Sequence, residues 1–266
     1  WRKQTILDSG GWRSDTLTED LDLSYRAHLH GWRGMYLRDL VSPAELPVSI
    51  SAFRRQQYRW ARGSLECARK YIPQVWDTTI PTSQKVEATL HLLGYSVHLL
   101  LIALVLLHPL VLVLSLRYSE LLSLFGIGVF LNLTTFAQVT FLLVAQQQMG
   151  NRWWQLLPLI FLIAAAGTGM MVNTARAAVD ILRDKKTAFE RTPKFGIEEK
   201  KQDWTRRRYQ LNFDPIVFTE LAFAFLNAGT AIAAISLRNW VIAAYSILFC
   251  SGLLFISFLT ILQSYA

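Results

Sequence analysis

The stretch GYSVHLLLIALVLLHPLVLVLSL, residues 94–116, holds no Asp, Glu, Lys or Arg. A helix crosses the roughly 30 Å hydrocarbon core of a bilayer with about 20 mainly apolar residues. This run meets that length, so part of the chain is built for lipid. Three more runs qualify on the same ground: 121–145, 216–236 and 240–262. A fifth, 156–179, is apolar from Leu156 to Val172 but carries Pro158, Gly167 and Gly169, then Asn173, Arg176 and Asp180. Upstream of 94 the composition is mixed, with charges and aromatics interleaved as in a water-facing domain.

The formal net charge is +8, and its Lys and Arg lie mainly before residue 91 and within 183–208. Beside lipid-spanning runs, basic loops face an anionic cytoplasmic leaflet, so charge alone gives no reason to invoke nucleic acid. An anionic substrate is compatible with the same charge. Two basic segments on one side require an even number of crossings between them. On that reading 94–116 and 121–145 cross, and 156–179 rests at the interface or re-enters. The cysteines, Cys67 and Cys250, offer no disulfide framework or zinc spacing. The chain opens Trp1-Arg2-Lys3, and the expectation is a fragment lacking an N-terminal half.

In the first 93 residues, Gly10-Gly11 marks a turn. Thr18 is placed as an N-cap, with Glu19, Asp20 and Asp22 in the first helical turn, where negative charge meets the helix dipole. Leu21, Tyr25, His28 and Leu29 form the expected buried stripe, and Gly31 ends the helix. Residues 33–38 read as a short strand. A second helix over 50–70 is amphipathic and rich in Arg and aromatics, as interfacial helices are. Pro73 and Pro81 break the chain before a segment at 83–93.

Three motifs carry chemistry. Thr18-Glu19-Asp20 puts a carboxylate at a helix start, where Asp20 suits a general base that deprotonates an attacking hydroxyl. An ordinary acidic first turn gives the same pattern. Gln56, Arg59, Trp60 and Gly63 share one helix face by three- and four-residue spacing. Arg59 can grip a diphosphate with paired bonds, and the Trp60 indole can stack on a sugar. Headgroup anchoring explains the same residues equally well. Phe189-Glu190-Arg191-Thr192-Pro193-Lys194 is a basic loop outside the bilayer, or simply a linker.

The order of acid site, Gln/Arg/Trp helix, spans, basic loop and further spans resembles the processive membrane family 2 glycosyltransferases, the cellulose, mannan and hyaluronan synthases. The stretch from Ala44 to Trp60 resembles the glucomannan synthase-like branch most. That resemblance implies a GT-A-type α/β domain whose C-terminal part is residues 1–93, with interfacial helices. It implies a channel region over 94–266, a bundle of four transmembrane helices or five if 156–179 is counted, with a cytoplasmic gating loop at about 183–212. Asp20 becomes the base of the Thr18-Glu19-Asp20 motif, Gln56 and Arg59 the donor diphosphate ligands, and Trp60 the acceptor floor. Thr192 and Lys194 sit on the gating loop. The donor is a UDP- or GDP-sugar, and the partners are a growing polysaccharide and the bilayer. Mg2+ or Mn2+ is expected on ligands upstream of these residues, and Glu19-Asp20-Leu21-Asp22 is not that metal motif. The implied activity is processive, inverting β-glucan or β-mannan synthesis with translocation, at the cytoplasmic face of a bacterial plasma membrane. A non-processive transferase acting on a lipid carrier, or a non-enzymatic membrane subunit, are the competing classes. The histidines have no metal-ligand partners in sequence and read as structural. Glu220 and Asn227 share a face at membrane depth and suit either a sugar path or helix–helix hydrogen bonds.

Overall fold

A computed structural model describes residues 1–37, 40–118, 135–192 and 213–265. The chain divides into two compact units, one of Trp1–Leu99, Asn173–Asp214 and Leu262–Ala266, the other of Leu100–Val172 and Pro215–Ile261.

In the first unit α1 (Lys3–Asp8) leads through a glycine turn to α2 (Glu19–Leu29), then α3 (Ile50–Trp76) and α4 (Thr82–Leu92). The stop of α2 is a Schellman motif. Gly31 has φ +83, its N–H reaches His28 O at 3.0 Å, and Trp32 N–H reaches Ala27 O at 3.0 Å. The expected stripe on α2 is corrected in part. Tyr25 is buried, but His28 is exposed, and Asp22, Leu23, Arg26 and Ala27 are buried instead. Ser49 caps α3, accepting from Ala52 N at 3.2 Å. The helix runs through Pro73 rather than ending before it. Pro73 lies in the last turns, where one missing bond is offset by the burial of Tyr71 and Val75.

No strand occurs among the described residues, and 32–37 runs irregularly with Met35, Tyr36 and Leu37 exposed. The expected strand over 33–38 is therefore corrected for 33–37, and Arg38 lies outside the described residues. A lone extended segment has no ladder to satisfy its backbone groups, so its local pattern does not make a strand. The core of this unit joins Tyr25, Cys67, Ala68, Tyr71, Val75 and Leu92. Tyr25 stacks on Tyr71 at 6.1 Å, and its hydroxyl meets His91 Nδ1 at 2.8 Å.

After a 3-10 turn, Gly94–Ser96, the chain continues as α5 (Val97–Arg117), α6 (Thr135–Gln148), α7 (Leu157–Gly169), α8 (Met171–Leu182), α9 (Ile216–Ser236) and α10 (Trp240–Tyr265). Among the described residues four helical stretches are long and apolar enough to cross a membrane: Gly94–Arg117, Trp153–Leu182, Ile216–Ser236 and Trp240–Ser264. Three coincide with the runs read from sequence. Most of the 121–145 run lies outside the described residues. The 156–179 run, expected to lie at the interface, qualifies by length and composition within Trp153–Leu182. It is two helices meeting at Met170, however, and α7 has 13 residues, which span only about 20 Å.

In the second unit Val105, Met171, Val172, Ala224, Phe249 and Leu253 form one cluster. Leu112, Ala234, Ile242 and Ala243 form another. A Cβ at Gly169 would lie 2.2 Å from Gly252 O, so the backbones of α7 and α10 touch there without side chains. Glu220 is fully buried and accepts from Ser257 Oγ at 3.3 Å. Asn227 donates to Phe223 O on its own helix at 2.8 Å.

Candidate active site

The acid turn is held from below by α3. Thr18 stands at the N-cap position of α2 but makes no side-chain cap bond, contrary to expectation. Its hydroxyl faces Cys67 Sγ at 3.8 Å instead, and its side chain fills the notch left by Gly63. Leu17 N–H donates to Glu66 Oε2 at 3.0 Å. Asp20 is exposed, and one of its oxygens, Oδ1, accepts the Leu21 N–H at 2.8 Å. Its carboxylate is thus oriented at the helix start and open to solvent.

Asp22, two residues on, plays a different part. It is completely buried. Tyr71 donates to it at 2.5 Å, Lys70 at 2.6 Å and Arg26 at 2.8 Å. Burial alone would raise its pKa, but the hydrogen bonds from Lys70, Tyr71 and Arg26 outweigh that and hold it below the ordinary value. Lys70 also reaches Asp15 at 2.7 Å. Burial pushes the Cys67 thiol up to about 11, so it is an inert packing residue here. Asp22 ties α2 to α3 and thereby sets where Asp20 stands.

Along α3 the residues Arg55, Tyr58, Arg59 and Arg62 meet the segment 185–190. A cleft of about 380 Å³ lies there, lined by Leu17, these α3 side chains other than Arg62, residues of 185–190, and Arg176, Asp180 and Asp214. The Arg59 guanidinium sits 4.8 Å from the Phe189 ring centroid and donates to Glu190 O at 3.3 Å. Arg55 pairs with the Glu190 carboxylate. Tyr58 donates to Asp180 at 2.6 Å, and Arg176 pairs with Asp214 at 2.9 Å while covering the Tyr58 ring at 4.9 Å. The cleft is cationic on balance, with Lys185 and Lys186 at its rim, so it suits an anion with several oxygens.

Of the residues picked from sequence, the structure brings Arg59 against the basic loop. Gln56 is half-buried on the same helix face, and Trp60 is 41% exposed. Neither they nor Asp20 lines the cleft. Thr192 is partly buried, its hydroxyl without a partner among the described residues. Lys194 lies outside the described residues. Sequence reasoning missed Arg62, Glu66 and Asp214. It noticed Asn173, Arg176 and Asp180 only as polar residues at odds with a membrane run. They form one face of α8, where Asn173 donates to Arg54 O at 2.9 Å.

Residues 1–169 match the model of glycosyl transferase family group 2. The chain belongs to this family. Over 75 residues, 28% of this chain, it is 44% identical to glucomannan 4-beta-mannosyltransferase 2 of Arabidopsis thaliana, and the match spans 14% of that relative. No solved structure matches the chain. Group 2 glycosyl transferases commonly use a divalent metal ion. Among the described residues no group of three or more His, Cys, Asp or Glu is placed to hold one, and Asp22 is already bonded to Lys70, Tyr71 and Arg26. The described residues do not form a metal seat.

Proposed function

We propose that this chain is the acceptor and membrane part of a processive, inverting glycosyltransferase that extends a β-linked polysaccharide from a UDP- or GDP-sugar and passes it through the bilayer. The observation that carries this reading is the meeting of Arg59 with Phe189 and Glu190. It joins the Gln/Arg/Trp helix to the basic loop, motifs 130 residues apart in sequence, beside a cleft suited to a diphosphate. The transfer follows from these roles. Asp20 takes the proton from the acceptor hydroxyl as it attacks the anomeric carbon. The bond to the donor phosphate breaks on the opposite face, and the nucleoside diphosphate leaves with its charge held by Arg59, helped by Gln56. Trp60, on the same helix face but turned outward, carries the terminal sugar of the acceptor. Thr192 and Lys194 belong to the loop that closes over the donor.

The same contacts support the topology. On this reading residues before 94 and after 179 lie on one side of a bilayer, which the hydrogen bond from Tyr58 to Asp180 supports. Gln263, at the end of α10, accepts from Ile50 N–H at 2.7 Å, which supports a return of the last span to that same side. This reading has an even number of crossings in each interval: α9 and α10 as the second pair and, since α7 is short, α5 with the 121–145 run as the first. That common side is the cytoplasmic one by its positive charge. The test is to incubate membranes containing the complete gene product with labelled UDP-glucose and GDP-mannose and to analyse product length and linkage. A long β-linked polymer supports the proposal. A single sugar on a lipid carrier would overturn processivity, and no transfer from any nucleotide sugar would overturn the enzyme assignment.

A further inference from the structure

Arg62 and Glu66 stand one turn apart on α3, and such a pair on a helix surface ordinarily contributes little. Here Arg62 is buried and Glu66 half-buried. Arg62 is 7% exposed, and each guanidinium nitrogen is engaged. Nε donates to Glu66 Oε1 at 2.8 Å, Nη1 to Thr187 Oγ1 at 2.5 Å and Nη2 to Lys185 O at 2.5 Å. The other oxygen of Glu66, Oε2, accepts the Leu17 N–H at 3.0 Å. A continuous line of hydrogen bonds thus runs from the basic segment, through one planar guanidinium and one carboxylate, to the residue before Thr18-Glu19-Asp20.

We propose that Arg62 and Glu66 are a positioning pair that couples the seating of residues 185–187 to the turn carrying Asp20. The idea rests on the functional reading above for its consequence in catalysis, but not for its geometry. The guanidinium is a rigid fork. If the segment lifts, Nη1 and Nη2 lose their acceptors together, the plane turns, and Nε leaves Glu66. The carboxylate is then free to release Leu17. In the other direction, a slack acid turn frees Glu66 and unseats the fork. The segment continues into Glu190, whose carbonyl receives Arg59. Closure of the loop over the donor arginine and readiness of the base therefore become one event. A lysine at 62 would keep the charge but could not serve Glu66, Thr187 and Lys185 O at once.

The test uses the complete protein in detergent, with Arg62→Lys, Glu66→Gln and the double variant. Each single change is read at the far end, where it makes no contact. Glu66→Gln should speed tryptic cleavage after Lys185 and Lys186, and Arg62→Lys should speed hydrogen exchange of the Leu17 amide. Both effects should be about fivefold or more, as for a coupled pair of sites, and the double variant should add little to either single one. Turnover should fall in both variants with a smaller change in donor KM, because Arg59 is untouched. Exchange at Cys67 and Ala68, in the middle of α3, reports helix integrity. Should a variant lose that protection, Thr187→Val, which removes one loop contact, replaces it and must still speed exchange at Leu17. Remote readouts that stay at parental values while the parent transfers sugar overturn the coupling. A parent that transfers no sugar overturns the functional reading instead and leaves the two remote readouts to decide the coupling.

Discussion

Thr18 occupies the space that a side chain at Gly63 would need: a Cβ there would lie 2.4 Å from Thr18 Oγ1 and 2.5 Å from its Cγ2. The contact brings the acid turn onto α3 at the turn after Trp60. Gly63→Ala should therefore cost about 1–3 kcal/mol through overpacking, seen as a lower thermal midpoint in detergent. Adding Thr18→Ser, which removes Cγ2, should recover part of the loss. A Gly63→Ala protein with the parental midpoint would mean that α2 is not seated on this notch.

Asp22 should make stability depend on pH in acid. Its folded pKa lies below the ordinary 3.8, so its contribution is fully present above 3.8 and is lost as pH falls through the lowered folded value. Asp22→Asn should flatten that part of the acid limb and lower stability at neutral pH by about 3 kcal/mol, since buried Arg26 loses its counter-charge. Thermal midpoints of the two proteins from pH 7 downward check this, and parallel curves would remove Asp22 from the account.

Asp20→Asn should cut sugar transfer by about a hundred- to ten-thousand-fold while nucleotide binding by calorimetry is kept. The side chain is exposed and bonded only through Oδ1 to Leu21 N–H, among the described contacts, so the amide should leave the fold unchanged. Turnover within a few-fold of the parent would rule out Asp20 as the base.

Arg59→Ala and Trp60→Ala should fail differently. Loss of Arg59 should weaken nucleotide binding and loosen the contact with Phe189 and Glu190. Loss of Trp60 should weaken acceptor binding by about 1–3 kcal/mol, the scale of aromatic stacking platforms, with donor affinity little changed. Calorimetry with the nucleotide and incorporation of labelled sugar separate the two. Normal polymer yield from Trp60→Ala would make the indole a headgroup anchor.

Single cysteines at Ser14 and Ala188, both exposed, should react with an impermeant reagent from the same side of sealed vesicles. The background would lack Cys250, and Cys67 is fully buried. Access from opposite sides would make 153–182 a crossing helix and contradict the seating of 185–190 on α3.

Local rules sufficed for the stop of α2 at Gly31 and the spans at 94–117, 216–236 and 240–264. Each depends on residues within a few turns, through a positive φ or a sustained apolar run. The place of Arg59 on one helix face with Gln56 and Trp60 also followed from local spacing. Where local pattern needed a distant partner it misled. Residues 33–37 have no ladder to join, His28 is exposed while Asp22 is buried, and α3 runs on through Pro73 with Tyr71 and Val75 buried on either side of it in sequence. Asn173, Arg176 and Asp180 looked out of place in a membrane run, and only the bonds to Arg54, Asp214 and Tyr58 show what they hold. The link from Lys185 through Arg62 and Glu66 to Leu17 joins segments about 170 residues apart. No periodicity encodes a hydrogen bond between such segments, so only the tertiary structure decides it.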